Sequence, residues 1–320
     1  MRTCRICANS HGNTIFTARE MMYGTREQFD YMECGSCGCL QIVDIPADLS
    51  RYYPHDYYSQ TSRILRPISV WGSFRKRKRT QQWLGQHNLI GWLLAKGKGM
   101  PAFVEWARNV GLKLDDKILD VGCGAGRLLL SMHDAGFTSL AGIDPFNAHD
   151  LDYGNGVRIL KCSLAEIDEA YDFVMLHHSF EHIPDPLQAL KDVNRTLGSQ
   201  RYALLRIPVG QTYAWKTYGA DWVQLDAPRH LYLHTERSIN ILAREAGFEV
   251  ARIDYDSGSY QFLGSIQYQH DIPMSDPRSF SVNPEKSLFT QRDIKTFEAK
   301  AKELNETRQG DQACFYLFKP

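Results

Sequence analysis

Three sets of residues in this 320-residue sequence have the types and spacing to do chemistry. The first is Ile118-Leu119-Asp120-Val121-Gly122-Cys123-Gly124-Ala125-Gly126, an apolar run that ends in an acid and a turn with glycine at alternate positions. Glycines there let backbone approach a ligand where a Cβ would collide. Arg127 stands where the last glycine of a dinucleotide fingerprint would fall, so that motif is not matched. Asp144, followed by Pro145, lies about 20 residues further on, where a carboxylate can accept hydrogen bonds from both hydroxyls of a ribose. The plainer alternative is a generic glycine turn, with Asp-Pro merely starting a loop.

The second set is Cys4-x-x-Cys7 and Cys34-x-x-Cys37. Two thiolate pairs can close a tetrahedron around Zn²⁺, and a segment of about 40 residues buries too little surface to fold unaided. Redox chemistry is the alternative for Cys-x-x-Cys, but no thioredoxin-like strand–helix–strand pattern accompanies it. Cys39 is a spare. The third set is histidine: five of the eleven fall at 177, 178, 182, 230 and 234. Imidazole, with a pKa of roughly 6.5, suits a general base. A metal site on His178, Glu181 and His182 is a rival use, though these residues lack the helical H-E-x-x-H arrangement. Arg229 can clamp an anionic substrate group or pair with Asp226.

The rest of the chain must position these groups. Apolar content is 43% and acids equal bases at 37 each, so a sizeable core is expected and nothing global points to nucleic acid. No apolar run reaches the roughly 18 residues of a membrane span, and the N-terminus lacks the apolar centre of a secretion signal. Five of the eight cysteines crowd into the first 39 residues, unlike a disulfide framework, and a cytoplasmic location is expected.

Strands are expected at 117–121, 140–143, 157–160, 171–177, 201–208, 248–255 and 313–318. A helix follows the glycine turn and closes near Gly136, another runs to Leu197, and Thr235 caps a third that ends at Gly247. The expected division is a ribbon at 1–45, an aromatic and helical connector at 46–101, and a catalytic domain at 102–320. Within the last, a long insertion at about 264–311 carries a helix near Ile294 to Leu304, as lids and binding loops do. The connector contains Tyr52-Tyr53-Pro54-His55-Asp56-Tyr57-Tyr58 and the basic run Arg75-Lys76-Arg77-Lys78-Arg79. That run is either a phosphate contact or a solvated helix face.

The Asp120–Gly126 segment resembles the first motif of S-adenosylmethionine (SAM) methyltransferases. With the cysteine quartet, Ser179-Phe180-Glu181-His182 before Asp185-Pro186, Pro228-Arg229-His230-Leu231 and Gly310-Asp311-Gln312-Ala313, the whole chain resembles bacterial zinc-ribbon class I methyltransferases. That group is associated with sugar and surface-polysaccharide biosynthesis. The resemblance implies a doubly wound α/β fold with a seven-stranded, mostly parallel sheet, its last strand antiparallel beside the fifth, and a small N-terminal zinc ribbon. It implies cofactor contacts at Asp120, Gly122, Cys123, Gly124, Gly126, Asp144, Pro145, Ser163, Leu164 and His177. Ser163 stands where many relatives carry an acid. His230, His182 and Glu181 are the expected catalytic residues, and Cys4, Cys7, Cys34 and Cys37 the zinc ligands. The implied reaction is O-methylation of a small-molecule or glycan acceptor, with RNA or protein methylation, or SAM binding without catalysis, as alternatives.

Overall fold

The structure is a computed structural model that describes residues 2–53, 70–86 and 88–320. In chain order its elements are β1 (Thr14–Arg19), β2 (Gln28–Glu33), β3 (Leu40–Ile42), α1 (Val70–Trp83), α2 (Leu89–Ala95) and α3 (Ala102–Asn109). Then come β4 (Lys117–Val121), α4 (Arg127–Ala135), β5 (Ser139–Ile143), β6 (Leu151–Asp152), β7 (Arg158–Leu160) and β8 (Tyr171–His177). They are followed by α5 (Pro186–Thr196), β9 (Leu197–Pro208), α6 (Tyr213–Tyr218), β10 (Tyr232–Leu233) and α7 (Glu236–Glu245). The chain ends with β11 (Glu249–Tyr255), α8 (Tyr260–Gln269), α9 (Gln291–Glu306) and β12 (Gln312–Lys319). Pro54–Tyr58 of the expected connector lie outside the described residues, and the basic run falls on α1.

The central sheet has the order β11-β12-β9-β8-β4-β5-β7-β6. It is mixed and mostly parallel: β4 pairs parallel with β5 and β8, and β5 with β7, while β6 runs antiparallel to β7. Among the described residues the sheet has eight strands where seven were expected, the additional one being β6, a two-residue edge strand too short to show as an apolar run. β4 reads as it does because it is covered on both faces: Ile118 and Leu119 are fully buried and Asp120 nearly so. The expected insertion helix is α9, but the segment begins earlier, with α8. Phe262 of α8 packs with Ala301 and Leu304 of α9.

The chain divides into two compact units. One comprises Met1–Pro54, Phe180–Leu187 and Leu205–Tyr316; the other comprises His55–Ser179, Gln188–Leu204 and Leu317–Pro320. In the first unit a second sheet has the order β1-β2-β3-β10, so the ribbon strands are joined by residues nearly two hundred positions later. β10 pairs with β3 through Tyr232–Gln41 and Leu233–Leu40.

Candidate active site

β4 ends where the backbone must turn sharply, and all three glycines of the turn take positive φ: +73° at Gly122, +53° at Gly124 and +70° at Gly126. A Cβ on Gly122 would lie 2.5 Å from the Ser179 Cβ, and one on Gly126 would lie 2.6 Å from Ile159 Cδ1. No other residue type meets both demands. Side chains then tie the turn down. Gly124 N–H donates to Asp144 Oδ2 at 2.8 Å, and Phe146 N–H donates to Oδ1 at 2.9 Å, so the carboxylate after β5 is held with lone pairs to spare. Asn147 Nδ2 donates to the Gly124 carbonyl at 2.9 Å, Tyr153 to that of Ala125 at 2.6 Å, and Ser179 to that of Val121 at 2.6 Å.

Asp120 is buried with its Oδ1 lacking a hydrogen-bond partner among the described residues. Burial, reinforced by the charge of Asp144, holds its carboxyl well above the usual range. Cys123 lies against Gly142, whose added Cβ would meet its sulfur at 2.5 Å, and burial pushes its thiol up. Pro145 follows Asp144 in the turn after β5. Ser163 opens a single 3-10 turn containing buried Leu164; its N–H and its hydroxyl both donate to Glu166 at 2.7 Å. His177 ends β8, its ring 5.4 Å from Trp106 and 4.8 Å from His178, a residue at φ +52°.

The other expected group lies in the first unit. Phe180–His182 forms a short 3-10 helix with Glu181 fully buried. The His182 and His230 rings meet edge to face at 4.8 Å. His182 Nδ1 lies 2.9 Å from the Arg229 carbonyl, and His230 Nδ1 lies 2.7 Å from that of Gln224. A carbonyl only accepts, so each Nδ1 carries a proton, and in the neutral ring Nε2 is then the acceptor; the Tyr53 hydroxyl also lies 3.1 Å from His182 Nδ1. His230 Nε2 stands 3.9 Å from Glu181 Oε1 and 3.8 Å from Asp226 Oδ2. Burial, then neighbouring His182, brings the His230 pKa down to about 4, with Asp226 and Glu181 opposing the shift. His230 is therefore neutral at ordinary pH. His234 is a buried structural histidine between Phe180 and Tyr232.

Arg229 is fully buried and bound to Asp226 Oδ1 at 2.6 Å and Glu20 Oε1 at 2.8 Å. Of the two uses open for it in the sequence, the structure shows pairing, with the guanidinium turned to protein carboxylates. The rival ion site is also rearranged: Glu181 and His182 gather with His230, all three offering ligand atoms within 4.8 Å of one another.

A family profile described as a methyltransferase domain matches residues 98–253. A ubiquinone biosynthesis O-methyltransferase of Pseudomonas savastanoi pv. phaseolicola is 31% identical over 170 residues, which cover 47% of this chain and 72% of that protein. The chain belongs to the methyltransferase-domain family. It is a class I SAM-dependent methyltransferase. The protein of the same name from Nitrosospira multiformis is 30% identical over 155 residues, covering 42% of this chain and 64% of its own length. Among solved structures, mycolic acid cyclopropane synthase CmaA1 aligns over 80% of this methyltransferase and 99% of its own chain, at 15% identity and a TM-score of 0.43.

The residues of the glycine turn fit SAM. A buried carboxylate oxygen without a partner suits a ligand that carries positive charge, and an anchored acid with spare lone pairs suits a diol. The cysteine quartet likewise fits Zn²⁺. Its four sulfurs lie within 4.8 Å of one another, with Cys4–Cys37 at 3.7 Å and Cys7–Cys34 at 3.5 Å. Tetrahedral zinc with bonds of about 2.3 Å places sulfurs about 3.8 Å apart. A hydrogen bond from Cys37 brings the Cys4 pKa down to about 4, and backbone N–H groups of Ile6, Ser36 and Cys37 point at the sulfurs of Cys4 and Cys34. Cys39 stays out of the set, buried with its thiol on the Leu40 carbonyl.

Sequence reasoning missed the residues that join this quartet to the histidine loop. Thr235 Oγ1, at the start of α7, donates to the Cys37 carbonyl at 2.7 Å, and buried Tyr31 donates to the His230 carbonyl at 2.8 Å. Leu231 N–H donates to the Glu181 carbonyl at 2.8 Å, and Ile42 N–H to that of Leu231 at 2.9 Å. The ribbon thus braces the segment that carries His230.

Proposed function

We propose that the methyltransferase moves the methyl group of SAM to a hydroxyl oxygen of a sugar, nucleotide-linked or within a polysaccharide. SAM, when bound, supplies a methyl already activated on a sulfonium. Asp120 receives the methionine end, and the turn at Gly122, Cys123, Gly124 and Gly126 lets backbone come close. Asp144 and Pro145 serve the ribose, Ser163 and Leu164 the adenine side, and His177 completes the set. Cys4, Cys7, Cys34 and Cys37 hold one structural Zn²⁺. His230 takes the acceptor's proton at Nε2; His182 is the alternate base, and Glu181 steadies the imidazolium that forms.

The observation that carries the hydroxyl reading is the paired histidines, each fixed by a carbonyl so that Nε2 is an acceptor. A hydroxyl must lose a proton as it is methylated, and a positioned base contributes about 10²–10⁴-fold. The sugar is supported by the cysteine quartet and the Ser179–His182 and Pro228–Leu231 motifs, on which the resemblance to sugar enzymes rests. The names of the relatives favour a second reading, a phenolic hydroxyl of the ubiquinone type. Their matches span under half of this chain, so they leave most of it free to select another acceptor.

The test is formation of S-adenosylhomocysteine with nucleotide sugars, oligosaccharides and catechols as acceptors. Turnover with a sugar supports the proposal, and turnover with catechols alone assigns the phenolic reading. Salt-sensitive RNA methylation, or SAM binding with no turnover on any acceptor, would overturn both.

A further inference from the structure

Between Tyr57 and Glu105 the sequence contains no acidic residue and nine basic ones, although the whole chain is neutral. Seven of the nine are on described residues of the second unit: Arg75 to Arg79 on α1, and Lys96 and Lys98 just after α2. The same two helices hold a concentration of exposed large apolar side chains. Trp71 is 77% exposed, Leu89 75%, Leu93 58% and Trp92 52%, with Phe74 and Ile90 also exposed. A residue this apolar is normally turned inward in a helix that packs on one face.

The packing of α2 explains the exposure. Gly91 is buried against the Lys78 carbonyl of α1, where a Cβ would not fit, and Asn88 Oδ1 caps α2 by accepting from Gly91 N–H at 2.5 Å. With Gly91 as the contact, the flanking Leu89, Ile90, Trp92 and Leu93 are left facing out. Cations sit on the exposed rings: Lys78 lies 5.7 Å from the Phe74 ring and Lys96 lies 5.9 Å from that of Trp92. Apolar tips bordered by lysine and arginine heads suit the boundary between headgroups and acyl chains.

We propose that the α1–α2 hairpin is a docking surface for an anionic phospholipid bilayer, which it contacts peripherally. No described helix is long and apolar enough to cross a membrane. Charge complementarity selects this occupant: Lys76 pairs with Asp134 at 3.7 Å, the other six cations stand in a stretch of sequence without an acid and need a negative partner, and a second copy would bring the same charges. Nucleic acid would satisfy the cations but would leave aliphatic Leu89, Ile90 and Leu93 without hydrocarbon to enter.

The test is co-sedimentation of the full chain with vesicles of phosphatidylcholine mixed with phosphatidylglycerol, against phosphatidylcholine alone, at low and high salt. Binding should need the anionic lipid and fall with salt. Neutralising exposed Arg75, Arg77 and Lys96 together (each to Gln) should weaken it about a hundredfold, at about fivefold per basic residue. The pair Trp92→Ser and Leu93→Ser, with charge unchanged, should weaken it at least tenfold (roughly, from the lost apolar contact). Both variants should keep wild-type circular dichroism and SAM affinity. Equal binding to both vesicle types, no binding at low salt, or indifference to either variant would overturn the proposal. So would tighter binding to an RNA oligonucleotide, or a dimer in sedimentation that the Trp92/Leu93 variant dissolves.

Discussion

Replacing Arg229 with leucine should destabilise the protein because it strips the cation from a buried carboxylate pair. Arg229 donates to Asp226 through Nε at 3.0 Å and Nη2 at 2.6 Å, to Glu20 at 2.8 Å, and to the Tyr52 carbonyl at 3.3 Å. Glu20 would keep Tyr23 N–H, Thr25 N–H and the Thr25 hydroxyl, all within 3.1 Å. Asp226 would be left beside His230, whose Nε2 lies 3.8 Å away on a ring that is neutral at ordinary pH. Removing one partner of a buried pair costs about 3–5 kcal/mol, and the donors left on Glu20 point to the lower half of that range. Burial pushes the Asp226 carboxyl up, and Arg229 overrides it to hold the pKa below the usual range. In the variant that override is gone, so Asp226 protonates more readily and the stability gap should narrow as pH falls. Urea unfolding followed by circular dichroism at neutral and mildly acidic pH measures both effects. A loss under about 1 kcal/mol, combined with a raised KM for an anionic acceptor, would refute the structural assignment and restore the substrate clamp.

Freshly purified protein should carry one equivalent of zinc, and Cys34→Ser should lose it while disturbing the ribbon and the His230 loop together, since Thr235 and Tyr31 connect them. A second equivalent, lost in His230→Ala, would make Glu181, His182 and His230 ion ligands instead of a base set. The lowered pKa of His230, about 4 against an ordinary 6.5, means that the unfolded chain takes up the proton first. Stability should therefore rise with pH between about 4 and 6.5, His230 contributing about 3 kcal/mol across that window. His230→Asn should flatten the slope, and equal slopes in urea titrations would reject the shift. His230→Ala should also lower kcat about 10²–10⁴-fold with SAM affinity kept, and remove the acidic limb of the pH–rate profile. Retained kcat in both His230→Ala and His182→Ala would move the proton to another group or to water.

Much of the central sheet was legible because its strands are continuous apolar runs that end at glycine or acid, as at Ile118–Asp120 and Leu140–Asp144. The helix at Gln291–Glu306 was legible from its periodicity, and the cysteine pairs from their spacing. What escaped was pairing across long stretches of chain. Nothing near Tyr232 announces that it will lie beside Gln41, and nothing near Arg229 announces Glu20. The ties from Asn147, Tyr153 and Ser179 to the glycine turn are single side chains reaching carbonyls, which leave no periodic signal. The histidines fall in two clusters in sequence, at 177–182 and 230–234, yet His182 and His230 share an edge contact across them while His234 is packed among aromatics.

The most direct test of the account is a calorimetric titration of SAM into the wild-type protein and into Asp144→Ala, with circular dichroism to confirm the fold. Asp144 is held by Gly124 and Phe146 N–H groups with lone pairs to spare for two ribose hydroxyls. Hydrogen bonds to a charged group contribute about 1.5–3 kcal/mol each, so losing two should weaken SAM by about a hundredfold or more. Saturable binding in the wild type and such a loss in the variant is the predicted result. Equal affinity in the two proteins would contradict the placement of the cofactor on this turn.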